Sequence, residues 1–485
     1  MIAAQRSAAA AERTAPRARV TLVASIGFSL RNYVLGRCLD RLTEDADVTV
    51  VTPLAGSAGL WRALRARGAG TARLVAIAPR RQWRRARTWK QAMHVAAVYN
   101  DTWRLKRSTD HHESTLKQRV WNTVTFTAAR LGAAAGLMPV VDRWEDRCAL
   151  ASPEAAHYRE LFERERPSLV CSTAPLMAAE WLPLQVARSL GIRTAVAVLS
   201  FDNISSKSRL PLPCDAVLVW SERMADEVAR YYPGLDPDSI EVTGAPQFDY
   251  YRDPRYLQTR TQFCAGVGAD PRRPLVVYAG VTPSLMPHEP EIVASLAAAM
   301  RRGEVHDAAQ LLVRLHPKDD GSRWQALRTA FPEVVFTVPG AAHHGRLEAW
   351  EPVDDDVRLM VNTVCHGDVH INVASTMTID AAVADRPVIN VQFDLRPAGA
   401  APSWGLSIYR YTHYRPVVET GAMRLATSPT QLVEHVNRYL ADPSLDAEGR
   451  QRLVAQECGV VDGHAGRRAA EALLSVVPVL GGERR

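Results

Sequence analysis

The sequence predicts an α/β protein built from two Rossmann-like domains that face each other across a cleft, with a helical insertion in the first domain. Three observations lead there. At 485 residues the chain exceeds the size at which single cores stop growing, so two domains are expected. Short apolar runs alternate with helix-period segments in two separate blocks, the pattern of parallel sheets covered by helices. Between the blocks lies a stretch, 252–273, where the alternation lapses and a connecting helix and linker are expected.

Residues 1–17, rich in Ala and Arg, are expected to form a disordered tail. The first domain, 18–255, opens with a strand from Arg19, a loop at Ser25-Ile26-Gly27-Phe28, a helix and a second strand ending near Gly56. That loop is not a GxGxxG fingerprint, so dinucleotide binding there is unsupported. Residues from about 80 to 165 read as helices, an insertion into the sheet. Alternation resumes with strands at Ser168–Pro175, Thr194–Ser200 and Ala216–Trp220, a capped helix at Ser221–Gly234 and a short strand from Ile240. Residues 256–273 are expected to be a linker, 274–455 the second domain, and 456–485 a C-terminal helix and tail.

In the second domain three strand ends are expected to face one crevice. The segment from Ile371 to Asp394 is a buried strand, a turn at Ala374-Ser375-Thr376 and the first turns of a helix from Met377. Helix starts leave N–H groups unpaired and carry partial positive charge, so with two hydroxyls beside it this turn suits a diphosphate; an ordinary Ser cap is the plainer reading. Upstream, Leu311–Asp320 is a strand running into His316-Pro317-Lys318, and Pro274–Val293 is a strand, a Gly-containing loop and a helix beginning near Pro290. Together these supply Gly280, Thr282, His288, Glu289, His316, Lys318, Ser375 and Thr376, with Asp380 placed either to reach ribose hydroxyls or to pair locally. Arg314 and Arg386 are expected to support the sheet edges. The run Asp354–Asp356 reads as a solvated helix start rather than a metal site, and no metal is expected.

Composition narrows the function classes. The seven cysteines are scattered, odd in number and without paired spacing, which argues against a disulfide framework or a zinc site and fits a reducing, cytoplasmic setting. No apolar run approaches a membrane span, and the first residues lack the apolar core of a signal peptide. The net charge of +7 is uneven: the region from Arg80 to Arg107 gathers nine basic residues and three Trp, opposed only by Asp101. Basic residues interleaved with Trp suit an anionic membrane surface, and peripheral attachment follows as an expectation. No nucleic-acid-binding motif accompanies them, so nucleic acid is not an expected partner.

The run from Leu199 through Tyr251, with MPHEPEIV, RLHPKDD, INVASTMTIDAAVADRPVINV, the His-Tyr pair within Tyr411–Tyr414, and CGVVDGHAGRRAA from Cys458, resembles the bacterial GT-B glycosyltransferases of surface and capsular polysaccharide synthesis. The resemblance covers roughly 168–475. More distantly it extends to sialyltransferases and CDP-glycerol glycerophosphotransferases, whose His-Pro and Ser-Ser or Ser-Thr motifs bind donor phosphates; here these fall on His316-Pro317 and Ser375-Thr376. It implies a nucleotide-sugar donor used as substrate, no cofactor, no metal, and a saccharide or lipid-linked acceptor. His316, Lys318 and the turn at Ser375-Thr376 would then stabilise the departing nucleotide's charge. The sialyltransferases place an acidic-acidic-Gly motif in the N-terminal domain, and none occurs in that domain here, so the base is sought among cleft loops. Asp202, after a strand end, is the candidate, with Asn203, Ser205, Ser206 and Lys207 beside it; an Asx turn is the plain alternative. Gly27 and Asn32 are candidates for acceptor contact, and Glu289 for donor-sugar contact or catalysis. Two other enzyme readings stay open: a polyol-phosphate transferase, and an epimerase of the UDP-N-acetylglucosamine 2-epimerase type. A non-catalytic scaffold is the third class.

Overall fold

The computed structural model describes residues 17–78, 84–113, 115–340, 350–396, 399 and 403–477. The expected N-terminal tail up to residue 16, Arg80, Arg81 and Trp83 of the basic stretch, and the tail from 478 lie outside the described residues.

Two parallel sheets organise the chain. The first contains β1 (Ala18–Val23), β2 (Ala46–Thr52), β3 (Arg73–Ala76), β4 (Leu169–Ser172), β5 (Arg193–Ala197), β6 (Ala216–Val219) and β7 (Ile240–Val242), in the order 3-2-1-4-5-6-7. The second contains β8 (Leu275–Ala279), β9 (Gln310–Arg314), β10 (Val335–Thr337), β11 (Val369–Asn372), β12 (Val388–Val391) and β13 (Arg424–Ala426), in the order 10-9-8-11-12-13. Central strands such as β4, β8 and β11 are buried along their whole length, because helices cover both faces of a parallel sheet. Strand order reverses between β1 and β4 and between β8 and β11. The crevice outside the carboxyl ends at such a reversal is where α/β sheets bind ligands.

The segment expected to be a connecting helix and linker holds one helix. Arg260–Val267 starts on a reciprocal cap in which Thr259 and Gln262 each accept a backbone N–H from the other. Its Phe263 and Cys264 pack against Leu275 and Val277, so it belongs to the second domain. The C-terminal helix Ala465–Val476 returns to the first domain and lies on Arg37–Asp45, burying Ala469, Ala470 and Leu473. Asp249 accepts from Ala465 N (2.9 Å) and Gly466 N (2.7 Å) at its start. A Cβ on Gly466 would stand 2.9 Å from Cys38 N, so this crossing requires glycine.

The insertion comprises Arg84–Ala97, Asp101–Glu113, Leu116–Ala134, Met138–Leu150 and Pro153–Glu165, with a small core of Met93, Ala96 and Ala129. Its described basic residues are largely turned inward, unlike the open patch the sequence suggested. Lys90 is buried between Glu145 (2.7 Å) and Asp142 (2.9 Å), Arg87 stacks on Trp181 (3.8 Å), and Arg107 stacks on Phe126 (3.7 Å).

Candidate functional site

A cleft of about 1080 Å³ opens between the two sheets, lined by loops at the carboxyl ends of both and by the insertion. From the second domain it receives Gly280 and Thr282 after β8, His316 after β9, and Ser375, Thr376 and Asp380 after β11. From the first it receives Asn32, Asp202, Ser206 and Lys207. These predicted residues therefore meet in one space, brought there by the two strand-order reversals.

His316 has a defined orientation. Its Nδ1 accepts the Lys318 backbone N–H (3.0 Å), so the ring proton sits on Nε2. Burial, reinforced by Lys318, lowers its pKa to about 4. It is a neutral donor near pH 7. Lys318 itself is exposed and does not line the cleft, and His288 stands outside at the start of the helix Glu289–Arg301.

The turn after β11 is tightly built. Asn372 Oδ1 accepts from Thr378 Oγ1 (3.0 Å), and Ser375 Oγ accepts from Met377 N (3.1 Å), so Ser375 caps the helix Met377–Val383 as well as facing the cleft. Ala374 sits at φ +36°, a left-handed conformation that costs a non-glycine residue about 1–3 kcal/mol. Asp380 both lines the cleft and pairs locally, accepting from Tyr251 Oη (2.7 Å); burial raises its pKa.

Glu289 is placed differently from the sequence expectation. It is 0 % exposed, beneath the β8 loop, where it accepts from Val281 N (3.1 Å) and pairs with Arg323 (2.7 Å). Burial pushes its pKa up to about 7. It fixes the loop and touches no cleft surface. Gly27 is also spoken for: a Cβ there would lie 2.4 Å from the Trp350 ring, so the first loop closes against the second domain at that point. Asn203 and Ser205 lie behind the cleft wall, Asn203 donating to Asp202 Oδ1 (2.9 Å).

Asp202 pairs with Lys207 (3.2 Å). Burial raises its pKa, but Lys207 and His413 outweigh that and hold the carboxyl well below the usual range. His413 reaches the cleft from the second domain, 5 % exposed, with Nδ1 lacking a hydrogen-bond partner. Burial lowers its pKa to about 4, with Asp202 opposing. Phe201 and Tyr411 hold its ring edge-on at 5.5 and 5.9 Å. The sequence signal was the His-Tyr pair, whose role emerges only when the domains are brought together.

The cleft floor holds two buried arginines that the sequence did not assign to it. Arg314, expected to support a sheet edge, ends the interior strand β9 and lines the cleft, with its buried Nη1 lacking a hydrogen-bond partner. Burial lowers its pKa to about 10. Arg31 donates to Asn32 Oδ1 (2.9 Å) and Gln247 Oε1 (3.3 Å). Asp356 lies near Arg314, buried rather than solvated, with Oδ1 accepting from Gly340 N; burial raises its pKa. Arg386 does not line the cleft. Behind the first domain's reversal point, buried Glu180 accepts from Ser25 N (2.7 Å), Ser172 Oγ (2.6 Å) and Ala174 N (2.8 Å), tying the β1 and β4 loops together. Among the described residues no group of three His, Cys, Asp or Glu side chains is arranged to hold a metal ion.

No family model matches the sequence, and no curated protein matches it. Solved structures do match in shape. A UDP-N-acetylglucosamine 2-epimerase from Neisseria meningitidis, solved with UDP-GlcNAc bound, superposes with a TM-score of 0.53 over 95% of this chain and 100% of that chain, at 10% identity. The S. aureus MnaA complex with UDP gives 0.51 over 97% and 99%, at 12% identity. Another UDP-N-acetylglucosamine 2-epimerase gives 0.54 over 95% and 96%, at 16% identity. At such identities the likeness carries the fold alone: two Rossmann-like domains facing across a cleft, the GT-B fold.

Proposed function

We propose that the protein is a nucleotide-sugar-dependent glycosyltransferase, of EC 2.4 type, that builds a cell-surface polysaccharide. The observation that carries this reading is the convergence of His316, Thr282, Ser375 and Thr376 on one side of the cleft with Asp202, Lys207 and His413 on its other wall. Neighbouring structures hold UDP or UDP-GlcNAc, which supports a nucleotide-sugar donor.

In this reading the donor's diphosphate lies against the second-domain loops. The Nε2–H of His316 and the Ser375 and Thr376 hydroxyls donate to oxygens that gain charge as the sugar–phosphate bond breaks, a stabilisation that matters most in the transition state. The acceptor hydroxyl attacks the anomeric carbon, and its proton passes to the Asp202–His413 pair. Asp202, held ionised by Lys207, is the proton acceptor of that pair, and the neutral His413 ring lies beside it with its buried Nδ1 lacking a hydrogen-bond partner. Glu289 and Glu180 act as positioning residues for the loops.

A second reading, an epimerase acting on the nucleotide sugar without an acceptor, is favoured by the shape neighbours. The test is product analysis with candidate UDP- and other nucleotide sugars, with and without a membrane lipid extract. Nucleotide release that requires the extract supports transfer. Isomerised nucleotide sugar formed without acceptor overturns it in favour of the epimerase.

A further inference from the structure

The insertion carries an outward surface that the donor site does not use. On the helix Leu116–Ala134 only Ala129 is fully buried. Leu116, Val120, Trp121, Val124 and Leu131 are exposed, Leu116 by 76% and Trp121 by 70%. At 100° per residue these five fall within about 140° of arc, roughly opposite Ala129 and Phe126. The next helix, Met138–Leu150, meets this one at 107° and adds exposed Val140 and Trp144, four residues apart. An exposed apolar stripe of this extent marks an interaction surface.

Charge is sorted across the same two helices. No acidic residue occurs between Glu113 and Asp142. Lys117, Arg130, Arg143 and Arg147 are exposed. The acidic residues of the second helix turn inward: Asp142 and Glu145 to Lys90 (2.9 and 2.7 Å), Asp146 to Gln185 (2.8 Å). Exposed charge on these helices is therefore predominantly positive, beside an apolar stripe with Trp at its margin. No single helix among the described residues is long and apolar enough to cross a membrane. A one-sided apolar stripe flanked by cations suits a helix lying in the headgroup region of an anionic bilayer.

The stripe is continuous with the cleft. Arg119, Trp121 and Phe126 of the same helix line it, together with Lys106 and Arg107. Lys106 donates to Ser206 O (2.6 Å), on the loop that carries Asp202. A helix seated on a bilayer would therefore open this basic wall of the cleft toward the lipid headgroups.

We propose that the outward face of Leu116–Ala134 and Met138–Leu150 docks the protein on an anionic bilayer, a proposal that does not rest on the transferase reading. The basic stretch at Arg80–Arg107 was the sequence's candidate for this contact; the side chains of Arg80, Arg81, Arg84 and Arg85 lie outside the described residues, and the proposal rests on the exposed helices downstream.

The test is co-sedimentation of the full chain with phosphatidylcholine vesicles with and without phosphatidylglycerol, beside the variant Val120→Asp/Val124→Asp/Leu131→Asp. None of these three lines the cleft. The expected result is binding to the anionic vesicles that weakens with salt and falls at least about tenfold in the variant, whose nucleotide response is unchanged. Wild-type protein that stays in the supernatant, or a variant that binds as well as wild type, overturns the proposal. So does a dimer in vesicle-free solution that the variant breaks, since a second copy would then cover the stripe. Vesicle binding without any response to nucleotides would leave the docking standing and remove the transferase reading.

Discussion

Replacing His316 by asparagine and by glutamine separates its two ring nitrogens. Nδ1 accepts the Lys318 N–H at 3.0 Å and shapes the loop; Nε2–H is the donor facing the cleft. Asparagine places an amide oxygen near Nδ1 and has nothing at Nε2, whereas glutamine reaches the Nε2 position with an N–H. Loss of one donor to a developing oxyanion costs about 2.7–4 kcal/mol, or roughly 10²–10³ in kcat. The lost loop hydrogen bond in the glutamine variant costs about 0.5–1.5 kcal/mol of stability. Asparagine should therefore keep stability and lose turnover, and glutamine should retain much of the turnover with a small loss of stability. Nucleotide release under saturating donor and urea unfolding read the two quantities. Because His316 stays neutral down to a pKa of about 4, the asparagine-to-wild-type ratio should be flat from pH 6 to 8. Equal turnover in both variants, or a ratio that titrates near pH 6.5, would refute the assigned tautomer and role.

Glu289→Ala should cost about 1–3 kcal/mol in urea unfolding, the range for leaving a buried donor unsatisfied, because Val281 N loses its partner while Arg323 keeps Asp319 (2.7 Å). Glu289→Gln should fold and keep turnover within a few-fold; a folded glutamine variant without activity would return this residue to the chemistry. Glu227 gives a pH prediction: burial raises its pKa to about 7, Arg223 only partly offsetting it. A carboxyl with folded pKa near 7 and an unfolded value near 4.5 contributes stability below pH 4.5 and loses it as pH rises through 7. Glu227→Gln should therefore gain on wild type by up to about 3 kcal/mol between pH 4.5 and 8, at 1.36 kcal/mol per pKa unit; a flat difference would contradict this.

The parts of the fold that were legible in the sequence are those with the strongest burial. β4, β8 and β11 are buried throughout; β4 and β8 read as nearly continuous apolar runs, and β11 was legible from Val369, Ile371 and Val373. β3 and β10 escaped notice because they are short edge strands with half-exposed residues, so neither a continuous run nor clean alternation appears. Loops after β8, β9 and β11 were legible as strand ends, which placed Thr282, His316 and Ser375 correctly in one crevice. Glu289 was misplaced because position in a loop does not disclose whether a carboxylate turns toward the cleft or toward a buried arginine 34 residues away. Arg31, Trp350, His413 and the wall from Leu116–Ala134 come together only through tertiary packing, so no local spacing signalled them. Arg314 was legible as a strand-end residue, but its orphaned Nη1 is visible only once its neighbours are in place.

The central claim is that the cleft holds a nucleoside diphosphate against His316 and the Ser375–Thr376 turn. Thermal unfolding of the protein with UDP, GDP, CMP, CDP, ADP and dTDP, beside a Ser375→Ala/Thr376→Val variant, tests it most directly. A nucleotide bound only by the native state at 100 times its dissociation constant adds about 2.7 kcal/mol. The account predicts one nucleotide class that raises the unfolding temperature of wild type and does so far less in the variant. No shift with any nucleotide, or a shift that the variant retains in full, would contradict it.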